Sequence, residues 1–130
     1  MKTKQIIVMR KFAGLRHGKY CAQAAHASVG ALFDLAKSKD INRDSLVIPL
    51  DNPAVRDWVN GRFTKVTVYV NTSEELQELY EKAREKGLPC ALILDAGLTE
   101  FGGIPTLTAL GIGPAASEEL DPLTINLPLF

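Results

Sequence analysis

The 130-residue sequence predicts a single domain of the α/β class. Three observations carry that expectation. Short apolar runs closed by charge alternate with stretches of helical periodicity, in the order strand, helix, strand, helix, strand, strand. A capping box opens the helix between the second and third strands. The composition, 46% hydrophobic and 23% charged, supplies one ordinary core in a chain too short for two.

Taken in order, residues 5–9 read as a buried strand and residues 11–19 as a polar loop with Gly14 and Gly18. A helix follows over residues 20–37. Its expected buried stripe is Cys21, Ala25, Ser28, Val29, Leu32 and Leu35 or Ala36, whose small members let it lie close to a sheet. Residues 39–55 contain Pro49 and Pro53 and no clear period, and read as an irregular insertion or short helix anchored by Trp58 and Val59. Asn60-Gly61 makes a turn, and residues 64–70 alternate as a strand.

Thr72-Ser73-Glu74-Glu75 is the capping box; Leu76, Leu79, Tyr80 and Ala83 form the stripe behind it, and Gly87 ends the helix. Residues 89–94 are a continuous apolar run, expected as a strand buried on both faces. A Gly-rich loop over 95–105, a strand over 106–112 and a turn at Gly113-Pro114 follow. Glu118-Glu119-Leu120 predicts one helical turn, and residues 123–130 a tail or edge strand.

The apolar run at residues 6–9 is cut off by Arg10-Lys11, too short for a signal core or a membrane span. Cys21 and Cys90 lie in no ligand spacing and read as free thiols, so a reducing cytoplasm is the expected location. The 15 bases and 15 acids cancel, yet residues 1–33 hold six of the bases and no acid. Such a chain either presents one basic face to phosphates or is merely uneven, and charge alone leaves both open.

Residues 14–20 mimic a phosphate loop but fail it: three residues separate Gly14 from Gly18, and Tyr20 stands where a magnesium-binding Ser or Thr belongs. What survives is Lys19 at a helix N-terminus, suited to an anion or simply solvated. His26, inside the helix, reads as a structural histidine, and His17 in the basic loop as a contact to RNA or solvent. Asp95 ends an apolar strand and either caps the turn at Ala96-Gly97 or serves a site; Thr99 is open in the same way. In open α/β sheets, sites form beyond the carboxyl ends of strands. The loops carrying Lys19 and Asp95 follow the first and third strands, which allows them one shared edge.

Gly18-Lys19 with Ala22-Gln23-Ala24-Ala25-His26-Ala27, Ser73-Glu74-Glu75-Leu76, Gly87-Leu88-Pro89, Asp95-Ala96-Gly97-Leu98-Thr99 and residues 108–114 together resemble the type 2 peptidyl-tRNA hydrolase family, in a divergent, bacterial-like form. The resemblance implies a compact three-layer α/β/α domain around a four-stranded mixed sheet. It also implies hydrolysis of the ester between a peptide and tRNA, a homodimer, and no metal or organic cofactor. By resemblance, Lys19, Asp95 and Thr99 are catalytic, while Gln23, His26 and Thr108 line the substrate pocket. Arg10, Lys11, Arg16 and His17 are the expected tRNA contacts. Leu98 stands where many relatives carry a base, and Glu100 where glutamine is usual. Those two departures keep a second expectation open, a weakly active or inactive relative that binds RNA or a protein partner.

Overall fold

In the computed structural model, which describes residues 1–36, 44–98 and 100–130, β1 (Thr3–Arg10), β2 (Lys65–Val70), β3 (Cys90–Asp95) and β4 (Thr106–Ala116) form one mixed sheet. Its order is β2-β1-β4-β3. β1 pairs parallel with β2 and antiparallel with β4, and β4 pairs antiparallel with β3. β1, β2 and β3 therefore run the same way, and their carboxyl ends share one edge of the sheet.

Alternation along β1 builds the layers. Ile6 and Val8 face Leu76, Leu79 and Ala83 of α3 (Ser73–Glu85) and Leu120 of α4 (Ser117–Thr124). Ile7 and Met9 face Ala27 of α1 (His17–Phe33) on the opposite side. The expected α/β/α sandwich follows. Among the described residues no helix is long and apolar enough to cross a membrane.

The stripe of α1 differs from the expected one. Gln23, Ala27 and Ala31 are buried, whereas Cys21, Ala25 and Val29 are exposed and Ser28, Leu32, Leu35 and Ala36 half-buried. The reason is the closeness of the packing: a Cβ on Gly111 of β4 would lie 2.1 Å from the carbonyl oxygen of Ala27. Only alanine and glycine fit such a contact, so Val29 and Phe33 are displaced to the helix flank, about half exposed. The helix also starts at His17 and ends at Phe33, and residue 37 of the expected span lies outside the described residues.

The capping box at α3 forms, with Thr72 Oγ1 accepting from the Glu75 amide; the Glu75 carboxylate reaches the Asn71 amide and the Thr72 hydroxyl. Leu76, Leu79 and Ala83 are buried and Tyr80 half-buried, with Gly87 at φ +70° just past the end. Of the stretch 39–55, residues 39–43 lie outside the described residues and residues 44–52 carry no helix or strand. Asn52 then caps α2 (Pro53–Asn60), its Oδ1 accepting from the amides of Ala54 and Val55. Trp58 is buried in that helix and donates its indole N–H to the Thr64 carbonyl; Val59 is half-buried.

Three further expectations are corrected. β3 is an edge strand, not one covered on both sides, and Leu94 near its end is 62% exposed. β4 runs on through Gly113-Pro114 to Ala116, because Gly113 at φ +99° absorbs an irregularity whose carbonyl takes a hydrogen bond from the buried Gln5 amide. The single turn expected near Glu118 is the eight-residue α4, after which Leu129 makes one bridge to Val68 of β2.

Candidate active site

At the shared carboxyl edge, two loops converge. The first follows β1 and turns into α1, placing Lys19 in the opening turn of the helix. The second begins at Asp95, the last residue of β3. Lys19 Nζ lies 3.0 Å from Asp95 Oδ2, with both side chains about 85% buried (13% and 15% exposed). Gln23, one turn further along α1, donates its Nε2 to the same oxygen at 2.9 Å. The other end of that amide, Oε1, accepts from the Thr108 hydroxyl of β4.

Asp95 Oδ1 accepts from the Gly97 amide at 2.8 Å. The turn-capping reading of Asp95 thus holds for one oxygen, and the other oxygen faces the lysine. Glycine is required at 97, where φ is +79° and a Cβ would lie 2.1 Å from the Ile104 carbonyl oxygen. The Gly97 amide, then the Lys19 ammonium, and last the Gln23 amide hold the Asp95 carboxyl below the usual carboxylate range against a smaller opposing effect of burial. The carboxylate is ionised at neutral pH and, being acidic, is a weak proton acceptor held in one orientation.

The other expected site residues that the structure describes are placed as follows. His26 is exposed, not the structural histidine expected, and lines a groove beside Gln23 and Asp95. Arg16 and His17 are exposed at the entry to α1, where Arg16 pairs with Glu100. Glu100 therefore neutralises the nearest loop cation. Arg10 is turned inward, donating to the Leu107 carbonyl at 3.2 Å with its guanidinium over the Phe12 ring. Lys11 is exposed and extends over Tyr69, 4.8 Å from the ring centre. Thr99 lies outside the described residues.

Sequence reading missed two aromatics. Phe12 and Phe101 pack with centroids 5.0 Å apart, and Lys19 Nζ is 5.6 Å from the centre of the Phe101 ring. They wall one side of the ion pair. Their only sequence signal is a large aromatic inside a glycine-containing loop, after Lys11 in the first and before Gly102-Gly103 in the second.

The arrangement suits attack by water. Among the nucleophilic side chains of α1, Ser28 Oγ is committed to Gln5 Oε1, and Cys21 is exposed on another face of the helix. An oriented carboxylate beside an ammonium is a place for a water and for a carbonyl oxygen that gains charge.

A profile of the Peptidyl-tRNA hydrolase PTH2 family matches residues 3–130. The chain belongs to that family. A peptidyl-tRNA hydrolase of Methanocaldococcus jannaschii is 41% identical over 128 residues, covering 98% of this chain and 99% of the relative. One from Methanopyrus kandleri is 41% identical over 127 residues, covering 98% and 97%, and one from Aeropyrum pernix 40% over 133 residues, covering 98% and 95%. Family membership extends through every element that builds the site, from β1 to the tail beside β2.

Proposed function

We propose that this chain hydrolyses the ester joining a peptide, or an N-blocked amino acid, to tRNA, and that Lys19, Asp95 and Thr99 carry the reaction. The observation that supports this most is the largely buried Lys19–Asp95 pair, braced by Gln23 and Thr108. It stands at the sheet edge in a chain whose relatives bear the peptidyl-tRNA hydrolase name.

In this reading Asp95 orients a water through Oδ2 and accepts its proton as the oxygen attacks the ester carbon. The carbonyl electrons move onto oxygen, where Lys19 stabilises the charge. Collapse of the tetrahedral intermediate breaks the bond to the ribose oxygen, which takes a proton from Asp95. A low carboxyl pKa weakens the first transfer and favours the second, so orientation is the larger part of the Asp95 role. The Thr99 hydroxyl holds the water or the carboxylate. Gln23, Thr108 and His26 shape the pocket. Arg16, His17 and Lys11, with Arg10 behind them, meet tRNA phosphates through contacts blind to sequence.

The test is release of free tRNA from N-acetyl-aminoacyl-tRNA, with Asp95→Asn and Lys19→Ala alongside. The first is expected to lose on the order of 10²–10⁴ in rate and the second on the order of 10²–10³. Parental turnover in both variants overturns the assignment. A parent chain that binds tRNA without releasing it supports the non-catalytic binder instead. The family resemblance also supports a homodimer acting in the cytoplasm; sedimentation of a monomer at assay concentration refutes the dimer.

A further inference from the structure

We propose that the groove between α1 and the outer edge of β3 receives the peptide half of the substrate as an added strand, an inference that rests on the esterase reading above. The groove opens at Asp95, Gln23 and His26 and has a volume of about 660 Å³. It continues between Val29, Gly30 and Phe33 of the helix and Leu92, Ile93 and Leu94 of the strand.

Its chemistry excludes the RNA half. Among the described residues Asp95 is the only charged side chain lining the groove, and no lysine or arginine does. A phosphate backbone needs cations. The exposed Arg16 guanidinium lies at the N-terminal end of α1 with the His17 side chain beside it, while the groove follows the helix the other way, from Gln23 to Phe33. That span is roughly 15 Å at 1.5 Å per residue. Substrate bound with its ester carbon beside Lys19 and Asp95 therefore has tRNA toward the basic end and the acyl chain toward the apolar one.

The strand edge supplies the backbone partners. The opposite edge of the sheet is covered by the chain's own tail: the Tyr69 amide donates to the Pro128 carbonyl, and the Phe130 amide to the Thr67 carbonyl. Among the described residues β3 pairs with β4 alone. An uncovered edge is a template for strand addition, and proteins ordinarily block one that has no use. The far end of this edge is blocked, since the Cys90 amide donates to Asp34, which Arg84 grips through two hydrogen bonds of 2.9 and 3.1 Å. Leu92, two residues on, turns its N–H and C=O outward as Cys90 does.

Beyond the blocked Cys90 the open edge runs from Ala91 to Asp95, five residues of β3. It accommodates about four or five peptide residues at roughly 3.3 Å each. With its ester carbon at Asp95 the peptide runs parallel to β3. Exposed Phe33 and Leu94, 48% and 62% accessible, flank it and accept apolar side chains of varied shape.

The test uses the full chain and one tRNA carrying N-acetylated acyl groups of one, three, five and eight residues with the same C-terminal residue. The expected result is a kcat/KM that rises about tenfold up to four or five residues and then levels, the gain from partly burying one or two apolar side chains. Phe33→Asp combined with Leu94→Asp is expected to reduce that gain to within about twofold. Ile125→Asp, at a 70% exposed site outside the groove, keeps it. Turnover without length dependence, or a double variant that retains it, overturns the groove alone; no turnover of any substrate overturns the esterase reading first. Weaker inhibition by deacylated tRNA in the double variant assigns the groove to RNA, and a changed oligomeric state assigns it to a second copy. Either result refutes the peptide site.

Discussion

Removing the Thr108 hydroxyl without changing its volume tests whether the Asp95 site is held from behind. Gln23 and Thr108 are each 2% exposed, and the hydroxyl donates to Gln23 Oε1 while Gln23 Nε2 donates to Asp95. Thr108→Val leaves that amide oxygen without a donor in a place water does not reach. An unsatisfied buried acceptor costs about 1–3 kcal/mol, and in a domain of this size each kcal/mol lowers Tm by roughly 3–5 °C. The relaxed amide no longer presents its N–H groups to the carboxylate, a charge-assisted bond worth about 1.5–3 kcal/mol. If half of that is expressed in the transition state, the rate falls about three- to tenfold, since about 1.4 kcal/mol is a decade. Thermal unfolding and single-turnover hydrolysis of N-acetyl-aminoacyl-tRNA measure the two effects. Thr108→Ser keeps the hydroxyl and is expected to stay within about threefold of the parent, a loss of under about 1 kcal/mol. A valine variant with parental rate and Tm, or a serine variant as impaired as the valine, refutes the reasoning.

Two predictions concern charge. The Asp95 carboxyl is held below the usual range, so it contributes stability above the ordinary aspartate value near 4 and loses it only as pH falls through the lower folded value. The difference in urea midpoint between the parent and Asp95→Asn is then constant from about pH 7 to about pH 5 and shrinks below about pH 4; shrinkage already at about pH 6 contradicts the assigned partners. Glu100→Gln releases Arg16 from its ion pair. It is expected to tighten tRNA binding and to steepen the slope of log Kd against log salt by about one, and an unchanged slope removes Arg16 from the tRNA contacts.

The elements most legible in the sequence are those whose signal is local. Thr72 and Glu75 mark the start of α3, and Leu76, Leu79 and Ala83 its buried side, because capping and periodicity need no knowledge of the partner. α1 was harder to read for the opposite reason. Its buried line of Gln23, Ala27 and Ala31 is set by the approach of Gly111, a residue far along the chain, and hydrophobicity favours Val29 and Phe33 instead. β3 reads as fully buried because an apolar run is blind to whether a strand lies inside a sheet or at its edge. Topology alone allows Lys19 and Asp95 one shared edge, since both follow strands, but their contact is set by the pairing of β1 and β3 with β4 and is not legible in the sequence. The aromatic wall of Phe12 and Phe101 was not, because nothing local separates a loop aromatic that packs from one that is exposed.

Thr108 shows where the site depends on a departure from regular structure. Strict alternation along β4 places Thr108 on the same face as Leu110 and Ile112, which pack toward α3. Yet its hydroxyl reaches Gln23 of α1, on the opposite face with Ala109. The register explains this: Ile93 pairs with Ala109 and Leu94 with Leu107, so Thr108 is the extra residue of a bulge. A bulge re-aims one side chain while the rest of the strand keeps its pattern. Leu107 stays against the α3 core, partly buried, and Thr108 alone turns to brace the amide behind Asp95. The sequence supplies a threonine whose β-branched side chain suits a strand on either face, so only the pairing of β3 with β4 decides which face it serves. The bulge and the Asp95 carboxylate are thus set by the same two strands, and restoring regular pairing by deleting one residue here removes the support of Asp95 along with the irregularity.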